Sequence, residues 1–320
     1  MKKIPTFVSI IFLLCTSIQK AAAQKDTSQK VAAPITSTYK KYIFADDLYY
    51  DNTITYEVGG SLGIMNCLTD LGGGKGIGKK FIKDVNLINS EPAGSIYLSA
   101  FYKNAIALRT EATWGIVKAS DAVLKNIKES SGGRYDRNLS FRSTIFELAL
   151  IAEIHPRYFK KYSKNEKLPR LSPYLLGGLG YFAFNPKAKL LGTWVELRPL
   201  STEGQGFAEY PDRKTYKLQQ INFPVGAGIK YKLSPLFNFS LECVYRILNT
   251  DYLDDASTRY IDKNLFQKYY NGDMLAQALA LHNRQNEINP AHTTSIGDIR
   301  GNPKNNDAYF SINFKLGFSF

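Results

Sequence analysis

Nine charged residues fall where the alternation of predicted strands would turn them toward one shared interior. They are Glu57, Arg109, Glu111, Glu147, Glu153, Lys230, Glu242, Arg246 and Lys315. Two of the carboxylates could do general acid–base chemistry, but no spacing among them singles out a catalytic pair. Because an isolated buried charge costs several kcal/mol, buried charges must pair. We therefore expect a salt-bridged plug that fills the interior, with a catalytic carboxylate pair as the alternative.

The other chemistry-bearing residues give weaker patterns. Asp251, Asp254 and Asp255 could ligate calcium through their oxygen atoms, but the glycine and terminal glutamate of an EF-hand loop are missing. We expect a solvated acidic loop there. His155, His282 and His292 show neither a metal-binding nor a triad pattern, and the serines lack a nucleophile motif.

A glycine-rich run at 71–80, LGGGKGIGKK, partly matches a phosphate-binding loop. Lys80, however, stands where Ser or Thr would bind magnesium, and no helix is predicted after it. This run is expected to be a flexible basic surface loop. The sequence thus predicts no enzyme, no cofactor and no metal site.

The last twelve residues, YFSINFKLGFSF at 309–320, show which elements must hold the charged positions. Large apolar residues alternate with small or polar ones, which places the two sets on opposite faces of a strand. A lipid-facing row beside a polar lumen row is what a membrane barrel requires. The ending on Phe320, with Phe318 and Leu316 on the same face, resembles the terminal strand that barrel-assembly machinery recognises.

The same alternation recurs in seven earlier segments, which begin near Thr53, Ser95, Ile106, Phe141, Pro173, Ile221 and Phe237. The glycine-rich segment from Pro173 leaves its facing open. Short connections at 103–104 and 234–236 alternate with long ones on the opposite side. The sequence therefore predicts an all-β fold, an eight-stranded antiparallel up-and-down transmembrane β-barrel with long extracellular loops.

The N-terminal residues predict export. Lys2 and Lys3 precede an apolar run, and Ala21–Ala23 offers a cleavage site after Ala23. We expect a signal peptide at 1–23, a periplasmic lead-in segment at 24–52 and the outer-membrane barrel at 53–320. No later segment offers the roughly 18 apolar residues of a membrane helix. The expected location is the outer membrane of a Gram-negative envelope.

Charge indicates the partners of such a protein. The net charge is +13 and the pI about 9.4. For an exported chain this favours lipid phosphates and acidic protein surfaces over nucleic acid. The connection at 157–172 is strongly basic, and by strand count it lies on the periplasmic side. It offers a candidate partner contact through Arg157, Lys160, Lys161 and Lys164, either with inner-leaflet phosphates or with an acidic periplasmic protein.

Five blocks carry a family resemblance: RNLSFRSTIFELAL at 137–150, SPYLLGGLGYFAFNPKA at 172–188, WVELRPLSTEGQG at 194–206, TDYLDDASTRYID at 250–262 and RGNPKNNDAY at 300–309. They resemble the PorG-like group of outer-membrane barrels. That group includes a component of type IX secretion thought to accompany a periplasmic ring containing a lipoprotein, and it has no known catalytic residues. The resemblance implies an anchor or accessory of an envelope assembly. An outer-membrane enzyme acting on lipid or peptide, and a surface-binding protein working through its loops, are the alternatives.

Overall fold

The computed structural model describes residues 53–73, 87–131, 133–160, 168–291 and 294–320. The predicted signal peptide and lead-in segment, and most of the glycine-rich run, lie outside the described residues. Ten strands are described: β1 (Ile54–Leu68), β2 (Glu91–Tyr102), β3 (Ile106–Ser120), β4 (Ser140–Ile154), β5 (Leu171–Ala183), β6 (Pro186–Leu190), β7 (Thr193–Glu196), β8 (Gln219–Lys232), β9 (Phe237–Leu248) and β10 (Ala308–Ser319).

Eight of these strands close into a barrel in the order β1-β2-β3-β4-β5-β8-β9-β10, and every neighbouring pair is antiparallel. The seam between β1 and β10 pairs Glu57 with Ser319 and Leu68 with Ala308. The predicted eight-stranded antiparallel barrel is confirmed.

The two faces of the wall differ sharply in polarity. On the outside, Leu62 is 77% exposed, Phe314 55% and Leu148 53%. On the inside, Ser61, Glu147 and Lys315 are buried. A continuous belt of exposed apolar side chains on a closed barrel is stable in lipid rather than in water. The fold is therefore an eight-stranded barrel of the outer-membrane type.

The β5 segment, whose facing the sequence left open, turns Tyr174, Leu176 and Phe182 inward and Leu175 and Tyr181 outward. The helices are short: α1 (Arg134–Arg137), α2 (Phe266–Tyr269) and α3 (Gly272–His282). None of the helices in the described ranges is long and apolar enough to cross a membrane.

The connections differ between the two ends of the barrel. At one end, β2 turns into β3 through Lys103 and Asn104, whose φ values of 50° and 56° are those of a tight hairpin turn. At the other end lie the connections at 69–90, 121–139, 184–218 and 249–307. We call the described residues of these four connections the loop cap. It contains the three helices and the β6–β7 hairpin. The sequence analysis did not predict the hairpin.

The main apolar core lies where the lumen meets the loop cap. It includes Phe182 and Tyr309 from the barrel wall, together with Phe207, Phe266 and Leu281 from the loop cap. Phe207 stacks on Tyr269 with ring centroids 3.9 Å apart. Because these side chains come from several connections, their burial packs the loop cap onto the barrel mouth.

Candidate functional site

Arg109 of β3 is the centre of the charged lumen. Its guanidinium lies 2.6 Å from Glu153, 2.8 Å from Glu242 and 2.9 Å from Glu111. All of these residues occupy inward-facing positions of their strands. One arginine therefore contacts carboxylates from β3, β4 and β9. All four side chains are at most 4% exposed.

Lys315 of β10 completes this cluster. Its ammonium nitrogen lies 2.8 Å from Glu111 and 3.2 Å from Glu242. Ser95 donates a short hydrogen bond to Glu111. Arg109 and Lys315 thus share the carboxylates of Glu111 and Glu242. Each of these buried acids has several of its oxygen lone pairs bonded as a result.

Two further ion pairs flank the centre. Lys230 lies 3.0 Å from Glu57, and Arg246 lies 3.3 Å from Glu147. The structure thus brings all nine predicted lumen charges together, and each of the five carboxylates has a basic partner. Among the described residues, these ion pairs occupy all five of the predicted lumen carboxylates.

Two tyrosines belong to the network although sequence reasoning missed them. The hydroxyl of Tyr97 donates to Glu57 and that of Tyr174 to Glu242, both at 2.8 Å. Tyr97 occupies space left by a glycine: a methyl group at Gly59 would lie 2.5 Å from its ring. Tyr97 occupies an inward-facing position in the alternating pattern of its strand, and it lies opposite Gly59 of β1. That combination in the sequence could have indicated this contact.

His155 also takes part, although no triad pattern was visible in the sequence. Its Nε2 lies 3.0 Å from Glu153 and its Nδ1 lies 3.3 Å from the Ser172 hydroxyl. Ser, His and Glu are the residue types of a hydrolytic triad. Here, however, Ser172 and His155 are each 1% exposed, and Glu153 is held by Arg109. The Ser172 hydroxyl is therefore buried, and the contacts of His155 join the end of β4 to the start of β5.

A second buried polar network holds the loop cap together. Arg300 pairs with Glu203 at 2.9 Å and donates to the Asp255 carbonyl at 2.6 Å. Glu203 in turn accepts from the backbone amides of Ser257 and Thr258. These residues come from two separate connections, 184–218 and 249–307, so the network fixes those two connections to each other.

Arg137 of α1 also links separate connections of the loop cap. It pairs with Asp121 at 2.8 Å, and it donates to the carbonyl oxygens of Asp70 at 2.7 Å and Arg300 at 2.5 Å. The side chain is buried. One guanidinium thereby ties three chain segments together through five-donor geometry that lysine could not supply.

The acidic run at 251–255 is a correction to the sequence analysis. A solvated loop was expected, but Asp251, Asp254 and Asp255 are 8%, 2% and 0% exposed. The run is buried inside the loop cap, where the hydroxyls of Thr202 and Tyr216 donate to Asp255 at 2.5 and 2.7 Å. The expectation was wrong because local composition does not reveal what packs over a segment.

Burial changes the acidity of these groups. It raises the pKa of Asp251 to about 9, with the charge of Asp70 adding to the rise. Burial and Asp70 likewise raise the pKa of Asp254 to about 8. The pKa of Asp255 is raised by burial to about 6, and the positive charge of Arg300 limits that rise.

The predicted assembly signal lies at the barrel seam. The Phe320 amide donates to the Tyr56 carbonyl at 2.9 Å, and Phe320 accepts from the Tyr56 amide at 3.1 Å. Their rings stack at 6.1 Å. Leu316, Phe318 and Phe320 all point outward, at 47%, 39% and 52% exposure.

The predicted partner contact is only partly described. Arg157 and Lys160 are exposed at the end opposite the loop cap, and Arg157 donates to the Leu171 carbonyl at 2.9 Å. Lys161 and Lys164 lie outside the described residues. The structure therefore places two of the four basic residues at the barrel rim.

Comparison with known proteins gives distant structural likeness. No family model matches the chain, and a search of curated proteins found no match. Among solved structures, the N-terminal barrel domain of Pseudomonas aeruginosa OprF is 12% identical, with a TM-score of 0.31, 83% of this chain covered and 97% of that chain. Neisserial surface protein A is 8% identical, with a TM-score of 0.36 and coverages of 83% and 96%. Ail of Yersinia pestis is 8% identical, with a TM-score of 0.33 and coverages of 83% and 97%.

Proposed function

We propose that this protein is a non-enzymatic outer-membrane barrel that serves as a structural anchor or accessory of an envelope assembly, with type IX secretion as the specific assembly. The observation that carries the proposal is the filled lumen, in which each of the five inward carboxylates has a basic partner. A barrel closed in this way offers its two ends, rather than its interior, to other molecules.

The enzymatic alternative needs a free acid or nucleophile that a substrate can reach. Glu153 and Glu242 share the guanidinium of Arg109, and Ser172 is 1% exposed. Opening this site to a lipid or peptide would separate buried ion pairs, which typically costs about 3–5 kcal/mol per pair broken. This cost supports a structural role for the lumen charges.

For the partner, we propose docking at the end opposite the loop cap, oriented toward the periplasm. Arg157 and Lys160 begin the basic connection, and Lys161 and Lys164 continue it in the sequence. An acidic face of a periplasmic protein, such as the lipoprotein of a secretion ring, would complement it. Contact with inner-leaflet phosphates is the other use of the same charges.

The test is charge reversal with recovery of the partner. A variant with Lys160, Lys161 and Lys164 all changed to Glu is expected to fold in detergent yet lose its co-purifying periplasmic partner. A matched control reverses three exposed lysines of the loop cap, Lys189, Lys214 and Lys217, and is expected to retain the partner. Undiminished recovery from the first variant would assign the basic connection to lipid contact and contradict the docking proposal.

A further inference from the structure

The β6–β7 hairpin leaves one edge of the sheet without a neighbouring strand. β6 pairs with the start of β4, where Arg142 lies opposite Lys187 and Ser143 lies opposite Pro186. β7 pairs with β6 and, among the described strands, with no other. The side of β7 that faces away from β6 is therefore free, and we call it the open edge.

The register shows which main-chain groups face the open edge. The Leu197 amide donates to the Pro186 carbonyl at 2.9 Å. Because hydrogen-bonded positions alternate along an antiparallel pair, Trp194 and Glu196 direct their amide and carbonyl groups away from β6. Within the described ranges, these four groups accept or donate no hydrogen bond. They are available to a further strand.

The open edge is exposed, but the hairpin that carries it is firmly held. Trp194 is 44% exposed, and the Glu196 side chain is 48% exposed. The other face of the hairpin packs on the main apolar core through Ala188, Leu190 and Val195. Since the backbone of β7 is already extended and fixed, a strand that adds there orders little of this protein on binding.

The tip of the hairpin carries an apolar residue that its own chain does not use. Leu190 pairs with Thr193, so the turn consists of Leu191 and Gly192, with φ values of 47° and 90°. Such a turn favours Asn-Gly or Gly-Gly, and a leucine is strained in the left-handed region. Leu191 is 99% exposed and so gains no packing in return. A strained residue without an internal role indicates contact with another molecule.

The outer face of the hairpin is basic. Lys187 and Lys189 alternate there with the core-facing positions of β6, and the Arg142 guanidinium lies 5.6 Å from the centre of the Trp194 ring. Glu196 is the one acid of this face and is paired with Lys187 at 2.8 Å. Three positive charges against one negative charge favour an acidic partner.

A second copy of the barrel in the same membrane does not fit the open edge. Two identical strands that pair antiparallel are related by a two-fold axis perpendicular to their sheet. β6 and β7 belong to the same sheet as the barrel wall, so this axis would lie in the membrane plane and invert one barrel relative to the other. The strand that covers the edge must therefore come from a different polypeptide.

We propose that β7 is a docking strand for an extended, acidic segment of another polypeptide, which adds to the open edge as a further β-strand. The main-chain groups of Trp194 and Glu196 bond the segment, and its negative charge complements the basic outer face. Leu191 and the Trp194 ring supply apolar contact beside the edge. This surface belongs to the loop cap and is separate from the basic connection proposed to dock a periplasmic partner.

The test uses the full chain in an uncharged detergent and a short capped peptide in which valine alternates with glutamate and threonine. The sequence has two tryptophans, so Trp114→Phe leaves Trp194 as the fluorescent reporter of binding. We expect saturable binding of this peptide. The fully N-methylated peptide keeps the side chains but has no amide donor, and it should bind about tenfold more weakly or worse.

A matched pair of variants at position 196 separates the edge from the side chain. Glu196→Pro removes an amide that faces the open edge, a place where a strand tolerates proline. Glu196→Thr loses the same ion pair with Lys187 but keeps the amide. Both variants should retain the heat-modifiable barrel, and Glu196→Pro should bind the peptide about tenfold more weakly than Glu196→Thr.

Three results would overturn the proposal. They are no binding of the peptide by the unchanged protein, equal binding by folded Glu196→Pro and Glu196→Thr, and equal binding of the methylated and unmethylated peptides. The comparison of peptides does not depend on the folding of any variant at position 196. Because the open edge and the basic connection lie at opposite ends of the barrel, the failure of this proposal and that of the proposed docking are separately visible.

Discussion

At the scale of single residues, the lumen is organised by the need to pair every buried charge. Arg109 is the clearest case, since it contacts Glu111, Glu153 and Glu242 within 2.9 Å. A buried ion pair adds little net stability over an apolar pair of the same shape, but removal of one partner leaves an uncompensated charge. The loss of Arg109 would leave three buried carboxylates without their shared cation, and this cost is larger than the net stability that its ion pairs add.

We predict that Arg109→Met destabilises the barrel by about 3–5 kcal/mol, because three carboxylates lose a shared cation. Urea unfolding of the barrel refolded into lipid vesicles measures this change. Arg259→Met, at an exposed position of the loop cap, is the control and should change stability by less than about 1 kcal/mol. An Arg109 variant as stable as this control would show that the lumen carboxylates find other partners.

At the scale of elements, each strand presents one apolar and one polar face, and β4 shows this most regularly. Its burial alternates without interruption from Phe141 to Ile154. Leu148 is 53% exposed on the outer face, and its neighbour Ala149 is 3% exposed in the lumen. Adjacent residues of one strand thus face two different environments, lipid on the outside and the polar lumen on the inside.

We predict that Leu148→Arg impairs folding into lipid by about 2–4 kcal/mol, the cost of a basic residue on the lipid face near the midplane. Ala149→Ser, one position along, should fold nearly as well as the unchanged protein because a small polar group suits the lumen. The fraction of heat-modifiable barrel in vesicles reports both. Equal folding of the two variants would mean that this strand does not face lipid as its burial indicates.

At the scale of the whole molecule, closure depends on the seam between the first and the last strand. Phe320 exchanges two backbone hydrogen bonds with Tyr56 and stacks on its ring. The closure removes free sheet edges, which the lipid interior does not tolerate. The last residue therefore completes the hydrogen-bond ladder at one end of the barrel.

We predict that deletion of Phe320 lowers the yield of assembled barrel in the outer membrane while export continues. The physical reason is the loss of the last seam contact together with the terminal aromatic residue expected to be recognised during assembly. Quantitative detection of the heat-modifiable form in membrane fractions measures the yield. Phe320→Tyr keeps an aromatic end and should assemble normally. If the deletion accumulates as well as Phe320→Tyr, Phe320 has no role in assembly.

The sequence by itself determined the barrel and its two faces. In lipid every backbone group must be bonded within the structure, and alternation with a period of two decides which side chains meet lipid. That local rule was enough to identify Arg109, Glu242 and the other lumen charges before any contact was known. It could not identify the individual ion-pair partners of these charges. Pairing across the lumen depends on which side chains of different strands lie at the same height along the barrel axis.

The loop cap was decided by tertiary structure alone. The β6–β7 hairpin, the joints of Arg137 and Arg300, and the burial of Asp251 and Asp254 all follow from contacts between distant segments. In the sequence, DYLDD reads as a polar loop, since nothing local marks the apolar core that covers it. The long connections lack the alternation of apolar and polar residues that reveals the two faces of a strand. Which of their side chains are buried together is therefore decided only when the barrel register brings the ends of the connections together.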